Sequence, residues 1–218
     1  MRRLSLSRFG RDRRGVAIVE FAVIVPVMIL LSAVAFDLVR YVIYIRKVEL
    51  AASTMADLMA RNDTGTVTQT DILAISRAQL VIFPEAMAVA SDTNVSVWSL
   101  LKWSISGVQF KTTSGCTSNC VYVPTVSWTS GQKRPCLIPL LPAPNTDPPK
   151  PTTMPIDTFA PGFLVVADVV FSYKPVIAQS VVGSVNITKS FYFAPRYVSA
   201  ITFDASGGTS SANACPLS

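Results

Sequence analysis

The residues that could do chemistry in this sequence are few, and histidine is absent from all 218 positions. Without histidine the chain can form no Ser/His/Asp triad, no Cys/His dyad and no zinc site with imidazole ligands. Aspartates such as Asp157, Asp168 and Asp204 show no paired spacing of the kind used in general acid–base catalysis. Phosphate-binding glycine loops and nucleophile-elbow serines are also missing. We therefore expect a non-enzymatic protein with no catalytic residue, no metal site and no cofactor.

Four cysteines form the other chemically distinctive set: Cys116, Cys120, Cys136 and Cys215. An even number of cysteines in an oxidising compartment favours disulfides. Cys116 and Cys120 are close enough in sequence to close a small loop, but Cys136 could pair with either of them. All three connectivities of two disulfides therefore stay open.

Basic residues are concentrated at the N-terminus. The formal net charge is +6, and the first fifteen residues supply most of it through six arginines against one aspartate: Arg2, Arg3, Arg8, Arg11, Arg13, Arg14 and Asp12. Nucleic-acid binding needs basic residues spread over a folded face, so this short block predicts no nucleic-acid partner. Beside an apolar segment it is instead a signal of membrane topology.

The segment after the basic cluster is long and apolar enough to cross a membrane. Residues 16–36 contain only Glu20, Pro26 and Ser32 as interruptions. A helix of this length spans roughly 31 Å, close to the bilayer core of about 30 Å. Because an arginine-rich flank stays in the cytoplasm, we expect a single anchor that sends the rest of the chain across the membrane. The expected regions are a cytoplasmic leader (1–15), a transmembrane helix (16–45) and an extracytoplasmic α+β domain (46–218).

Two acidic residues in or beside this segment need partners, since a carboxylate deep in the bilayer costs about 2.5 to 3.5 kcal/mol on insertion scales. Asp37 lies at the outer interface, with Arg40 one helical turn further on. Glu20 has no basic residue after it within the segment. It either reaches the cytoplasmic headgroups or the leader arginines, or it pairs with a cation created later. Cleavage between Gly15 and Val16 would create such a cation, the new α-amino group.

The run Arg13-Arg14-Gly15-Val16-Ala17-Ile18-Val19-Glu20-Phe21-Ala22 resembles the processing motif of type IV pilin-like proteins. In those proteins a prepilin peptidase cuts after the glycine, and a glutamate is the fifth residue of the mature chain. The similarity continues through Pro26, Asp37, Arg40 and the alanine-rich run 48–61, and this longer pattern resembles the TadE-like pseudopilins of the tight-adherence pilus. Val39 departs from the pattern, which often has a small residue beside the arginine.

The resemblance implies a pilin-like α+β fold and a role for each matching residue. Gly15 would precede the cleaved bond, Val16 would become the N-terminus, and Glu20 would pair with an N-terminal amine of its own or a neighbouring subunit. The anchor and its topology signal would include Arg13, Arg14, Pro26, Asp37 and Arg40. The implied partners are the prepilin peptidase, a sister pseudopilin, the major pilin and the inner-membrane assembly platform. The implied location is the bacterial inner membrane, with the N-terminus cytoplasmic and the C-terminal domain periplasmic, and loss of the protein would impair piliation, adherence and biofilm growth.

Two other interpretations of the N-terminus stay open. Ala33-Val34-Ala35 resembles a signal-peptidase site, which would release a secreted domain beginning at Phe36. An uncleaved signal anchor would instead leave a tethered periplasmic domain that binds a ligand or an envelope component. The acidic Glu20 inside the apolar segment and the full membrane-spanning length of that segment argue against a signal peptide.

Helical spacing of apolar residues predicts that the first helix continues beyond the membrane to about Arg61 and stops at 62–65. Its expected apolar stripe is Val48, Ala51, Ala52, Met55, Leu58 and Met59. Thr70 or Asp71 is expected to cap a second helix, which Pro84 ends. The expected inner face of that helix is Ile72, Leu73, Ile75, Ala78, Leu80 and Val81.

Alternating apolar residues then predict an antiparallel sheet. The two clearest strands are 93–106 and 165–173. A break at Gly107 is expected before a partner strand at 108–113. The last expected strand is 185–193, which Pro195 ends or confines to a sheet edge.

The remaining segments are predicted to lie outside the sheet. Residues 124–161 hold ten of the fifteen prolines and cannot donate enough backbone hydrogen bonds for a central strand. We expect a surface excursion there, either a connector or a partner-binding arm. The small-residue tail 206–218 is expected to be mobile unless Cys215 ties it down.

Overall fold

The computed structural model describes residues 14–112, 116, 120–131, 134–136, 138–204 and 215. In chain order the helices are α1 (Arg14–Ala60), α2 (Gln69–Ile82), α3 (Pro84–Asp92), α4 (Val97–Leu100) and α5 (Gln179–Val182). The strands are β1 (Thr66–Thr68), β2 (Leu101–Thr112), β3 (Tyr122–Gly131), β4 (Leu141–Ala143), β5 (Thr153–Pro155), β6 (Gly162–Tyr173), β7 (Val185–Phe193) and β8 (Thr202–Asp204). The long first helix, the further helices and the four-stranded antiparallel sheet confirm the predicted α+β class.

Helix α1 has two halves with different surroundings. Its N-terminal half is exposed, whereas from Tyr44 onward one face is buried against the sheet and α2. That face consists of small and apolar side chains: Val48, Ala51, Ala52, Met55, Ala56, Met59 and Ala60. The predicted stripe is thus confirmed except at Leu58, which is 39% exposed, while Ala56 takes the inner position. Successive buried residues three or four apart keep one face of a 3.6-residue helix on the core.

The C-terminal end of α1 is held by a distant segment of the chain. The backbone amide of Arg196 donates to the carbonyl oxygen of Ala60 at 2.9 Å, and its guanidinium donates to Asp57. The predicted stop follows at once, with Gly65 in the left-handed region at φ +73°. The following strand, β1, then pairs in parallel with β8 near the C-terminus. The helix end is therefore closed by residues that no local sequence pattern connects to it.

The second helix begins earlier and buries a different face than predicted. Thr68, not Thr70 or Asp71, is the N-cap, and Asp71 closes a capping box with it. The buried positions are Ile72, Ser76 and Gln79, whereas Leu73 and Val81 are exposed. The side-chain amide of Gln79 donates to the carbonyl oxygen of Ser76, which lowers the cost of burying it.

Helix α3 follows α2 directly, and the short α4 takes the place of the beginning of an expected strand. Pro84 ends α2 but also starts α3, since proline is well suited to the first helical turn. Residues 93–100, expected to be extended, instead form a connection and the short α4. The alternation of Val95 and Val97 is therefore not a strand pattern, and β2 begins only at Leu101.

The central sheet has the strand order β3-β2-β6-β7, with every neighbouring pair antiparallel. Strand β6 confirms the prediction for 165–173, and β7 confirms the edge strand at 185–193. One face of the sheet packs on α1 through residues such as Ile105, Ala167 and Phe171. The other face packs on the proline-rich segment, with Val108, Val166 and Met154 in a second apolar cluster.

Gly107 does not break β2, contrary to the prediction. The strand runs through it from Leu101 to Thr112, and the irregularity lies in the pairing with β3, which shifts register between Gly107 and Val108. A Cβ atom at Gly107 would lie 2.3 Å from Nε1 of Trp128 and 2.5 Å from Cζ of Phe163. Glycine is required there because two aromatic rings pack directly against the backbone.

The proline-rich segment 124–161 is only partly the excursion that the sequence predicts. Its first residues belong to β3, which is an edge strand and so tolerates Pro124. The remainder contains the two-stranded parallel pair β4 and β5 and buries Leu140 and Met154 against the sheet. The segment therefore covers one face of the sheet rather than extending from it.

Candidate functional site along the N-terminal helix

The N-terminal half of α1 exposes a continuous apolar surface. Within the described chain, the most apolar window of the helix Ile18–Ala60 has none of its residues buried, and this helix is long and apolar enough to cross a membrane. Every turn contributes large exposed side chains, among them Phe21, Ile24, Ile29 and Leu31. A soluble domain rarely exposes such a surface, so this half of α1 is a candidate membrane anchor.

The candidate processing residues lie at the start of the described part of this helix. Arg13 is outside the described residues, whereas the backbone of Arg14, Gly15 and Val16 is already helical. Glu20 is exposed, and no described residue pairs with its carboxylate.

Pro26 lies within the exposed apolar part of α1, and the helix continues through it. Proline has no amide hydrogen, so the helical hydrogen bond to the carbonyl of Ala22 cannot form. The helix is therefore locally weakened over 22–26, within two turns of Glu20, in the part that has no packing partner within the described chain.

Asp37 lies at the outer end of the apolar half of α1 and binds the connection between β6 and β7. Its carboxylate accepts hydrogen bonds from the backbone amides of Val176, Ile177 and Ala178 at 3.0, 2.9 and 2.8 Å. The hydroxyl of Tyr173 donates to the backbone carbonyl of Asp37 at 3.1 Å. Asp37 is buried despite its charge because all these donors are provided by the folded domain.

Arg40 forms no close ion pair with Asp37, one of the possibilities that the sequence left open, and its side chain lies among aromatic rings. Its guanidinium carbon is 5.6 Å from the ring centre of Phe36 and 5.8 Å from that of Tyr44, and Nη2 donates to the Tyr44 hydroxyl at 3.0 Å. Tyr44 in turn packs on Phe83 and Phe171. This aromatic cluster joins the helix to the sheet just beyond the candidate anchor.

An ion pair strengthens the same junction. Lys47 Nζ donates to the Glu85 carboxylate near the start of α3. This hydrogen bond holds the pKa of Glu85 below its ordinary value of 4.5, against the opposing effect of burial. The ammonium group of Lys47 also lies 5.8 Å from the ring centre of Phe83.

The structure contains one of the three possible disulfide connectivities. Cys116 pairs with Cys120, and Cys136 pairs with Cys215. The second disulfide ties Cys215, near the C-terminus, to Cys136 in the proline-rich segment. The backbone amide of Cys215 also donates to the carbonyl oxygen of Ser127 in β3. All four cysteines named as disulfide candidates are thus paired within the chain.

The buried Arg134 is the partner of Asp168, an aspartate to which the sequence assigned no role. Nε and Nη2 of Arg134 donate to the two carboxylate oxygens of Asp168 at 2.8 and 2.7 Å, and Nη1 donates to the carbonyl of Thr153 at 3.2 Å. Burial lowers the pKa of Arg134, but Asp168 outweighs this and raises it. Burial also raises the pKa of the neighbouring Tyr192. The pair fastens the proline-rich segment to β6 and is structural.

Sequence reasoning missed most partners of these residues. Nothing in the local sequence marks the amides of 176–178 as the ligands of Asp37, and Arg134 lies in a segment expected to be external. A charged residue at an apolar boundary was the only signal available, and it identified Asp37 without its partners. In the described ranges no group of three or more potential ligand residues could hold a metal ion.

These features define a class of protein. A single helix provides both a candidate membrane anchor and the central core element of an α+β domain. Residues 15–57, about a fifth of the chain, match the family model described as TadE-like protein, a family of structural pilus components. The match confirms the resemblance suggested by the N-terminal residues. No curated protein and no solved structure matches the chain.

Proposed function

We propose that this chain is a TadE-like minor pseudopilin required for assembly of a tight-adherence pilus. The observation that carries the proposal is the continuity of α1: its exposed apolar half, matched to the TadE-like family, runs without interruption into the core of the folded domain. A helix of this kind can pack laterally against other apolar helices while its attached domain stays outside. The function is therefore non-covalent assembly rather than catalysis.

The assembly-competent form is produced by cleavage after Gly15. A prepilin peptidase hydrolyses the Gly15–Val16 bond, which leaves a protonated α-amino group on Val16. Glu20 lies one helical turn further along α1, about 6 Å by the helical rise. The same distance allows either an internal pair or a pair with the amine of a neighbouring subunit.

The charge pair would set the register of the packed helices. In an apolar bundle a correctly aligned neighbour satisfies both charges, whereas a slipped neighbour leaves an amine and a carboxylate unpaired at several kcal/mol. The large apolar side chains around Glu20 can pack against a neighbouring helix in any register. Glu20 would therefore select one alignment from many that are equally apolar.

The proposed location follows from the basic leader. The arginine cluster keeps the N-terminus in the cytoplasm of a Gram-negative bacterium, so the domain beyond Asp37 lies in the periplasm, where the two disulfides form. The proposed partners are the prepilin peptidase, a sister pseudopilin, the major pilin and the inner-membrane assembly platform. Loss of the chain is expected to impair piliation, adherence and biofilm growth.

Replacing Glu20 with alanine tests this mechanism. In a strain that expresses Glu20→Ala in place of the native chain, we expect the protein to be inserted and cleaved but piliation to fall at least about tenfold, because the register-setting pair is lost. Surface pili are counted by electron microscopy, and the cleaved protein is measured by immunoblot of the membrane fraction.

The matched control is Glu49→Ala on the outer half of the same helix. Glu49 makes only partly exposed contacts, to Arg46 at 3.4 Å and to Lys189 at 3.9 Å. This variant is expected to assemble pili normally. Normal piliation in the Glu20→Ala strain would refute the pairing mechanism.

A further inference from the structure

The connection between β6 and β7 lies at the outer end of the candidate anchor. Residues 176–178 of this connection are bound through their backbone amides to the carboxylate of Asp37, at 2.8–3.0 Å. Asp37 comes directly after Phe36, the last residue of the predicted apolar span. The ring of Tyr41 packs against that of Tyr173, the last residue of β6, with ring centres 5.6 Å apart and planes tilted by 47°. These contacts fix the height of the connection relative to the helix.

The exposed surface of this connection is uncharged and rich in aliphatic side chains, with Gln179, Ser180 and Ser184 as its exposed polar residues. We call residues 175–184 the apolar loop; the segment contains no Asp, Glu, Lys or Arg. Its large aliphatic side chains are exposed: Val176 by 57%, Ile177 by 52%, Val181 by 87% and Val182 by 57%. The last two lie on the short helix α5, which therefore presents them to the surroundings rather than to the core.

The position of the apolar loop indicates which surroundings it meets. On α1, the exposed residues level with and just beyond Asp37 are also aliphatic: Leu38, Val39, Val42 and Ile43. Two apolar surfaces thus lie side by side at the end of a membrane-length helix. Lys174 is exposed beside the loop and Tyr41 is partly exposed on the adjoining turn of α1, and lysine and tyrosine are enriched at the headgroup level of a bilayer.

We propose that the apolar loop inserts into the outer leaflet of the bilayer and forms a second membrane contact beside α1. Val176, Ile177, Val181 and Val182 then lie at the boundary of headgroups and acyl chains, as the apolar face of an interfacial helix does. A helix alone leaves the attached domain free to rotate about its axis and to tilt. The loop adds a second point of attachment, so Asp37 sets the orientation that the domain presents to partners.

The inference rests on membrane insertion of α1, one part of the proposed function, but not on cleavage at Gly15 or on pilus assembly. Its test uses the full chain in nanodiscs that each contain one copy, so that lipid is the only apolar partner. All four native cysteines are paired in disulfides, and a new cysteine is therefore a unique labelling site. An environment-sensitive fluorophore is attached to Val181→Cys, and its quenching by spin-labelled phosphatidylcholine is measured.

Two further labelled positions serve as controls. Leu30→Cys lies in the candidate span and is 63% exposed. Val121→Cys is 71% exposed and precedes β3, whose first residue Tyr122 is paired with Thr112 at the end of β2 that is distant from Asp37. The length of β6 separates the two ends of the sheet by roughly 36 Å. A label at position 121 therefore gives the emission expected at an exposed site far from lipid.

The expected result is about a twofold or greater loss of emission from the labels at positions 181 and 30, and no loss at position 121. Quenching at position 30 without quenching at position 181 would overturn the inference and leave the anchor intact. Absence of quenching at position 30 would overturn the anchor and this inference together. If position 181 is unquenched in single-copy discs but forms cross-linked dimers in native membranes, the apolar loop is a surface for a second copy and the inference is wrong.

Discussion

Asp37 is the residue on which the junction between the candidate anchor and the domain depends most directly. Replacing it with alanine removes three charge-assisted hydrogen bonds, and replacing it with asparagine removes the charge but keeps an acceptor. We expect Asp37→Ala to lower the free energy of unfolding by about 3 kcal/mol and Asp37→Asn by about half as much. The amides of 176–178 should exchange faster in both variants, which hydrogen–deuterium exchange mass spectrometry measures.

Asp63→Asn is the control for this experiment, since Asp63 is exposed just beyond α1. It should leave exchange in the β6–β7 connection unchanged. Wild-type protection of 176–178 in the Asp37→Ala variant would show that the connection is held by something other than the carboxylate.

The Lys47–Glu85 pair predicts how the stability of the junction depends on pH. Because the pKa of Glu85 is lowered on folding, the pair stabilises the native state above the ordinary pKa of 4.5, and this contribution is lost as the pH falls through the lower, native pKa. The difference in unfolding free energy between wild type and Glu85→Gln should therefore be level near neutrality and shrink between pH 4.5 and the native pKa. Urea denaturation followed by tryptophan fluorescence measures it.

A double-mutant cycle separates the pair from other effects of acid. In a Lys47→Met background, Glu85→Gln should change the unfolding free energy by an amount that no longer declines over this acidic range. A wild-type difference that stays constant down to about pH 3 would contradict the assigned role of the pair.

At the scale of elements, the outer half of α1 is stabilised mainly by its buried face. Met55 is fully buried, whereas Leu58, three residues further on, is 39% exposed. We expect Met55→Ala to cost about 3 kcal/mol because it leaves a cavity between α1 and the sheet. Leu58→Ala is the matched control and should cost under about 1 kcal/mol. Equal losses of unfolding free energy in urea titrations would mean that α1 does not pack as described.

The elements that could be predicted from sequence are those with a strong local pattern. Helix α1 and strand β6 show clear periodicity over many residues, and both were placed correctly. The segment 93–100 has a short alternation of apolar residues, but it forms a connection and the helix α4 instead of a strand. Gly107 is identified as a break by local rules, but its actual role is to admit the rings of Trp128 and Phe163, which are distant in sequence.

The candidate site shows the same division between local and long-range information. The apolar span, Glu20, Pro26 and Asp37 are visible in the sequence because each departs from or completes a local pattern. Their partners are provided by the fold: the Asp37 carboxylate accepts from amides about 140 positions away, and Asp168 in β6 accepts from Arg134 in the proline-rich segment. No single-sequence pattern encodes such pairs, since sheet topology brings them together.

At the scale of the whole molecule, one continuous helix joins two environments. The disulfides, the Arg134–Asp168 pair and the Arg196 contacts all hold the domain together around the outer half of α1. The inner half has no packing partner among the described residues, and under the proposed function it would exchange lipid for other helices. The central claim is that cleavage after Gly15 makes this half competent for assembly.

The N-terminal residue of the protein from the membrane fraction of its native host tests that claim most directly. Intact mass measurement, supported by peptide sequencing, should show a mature chain that begins at Val16 and ends with the folded domain still attached to α1. A chain that begins at Met1 would contradict the account, because the register-setting amine would not exist. A chain that begins at Phe36, recovered in the soluble fraction, would contradict it equally, because the anchor would have been removed.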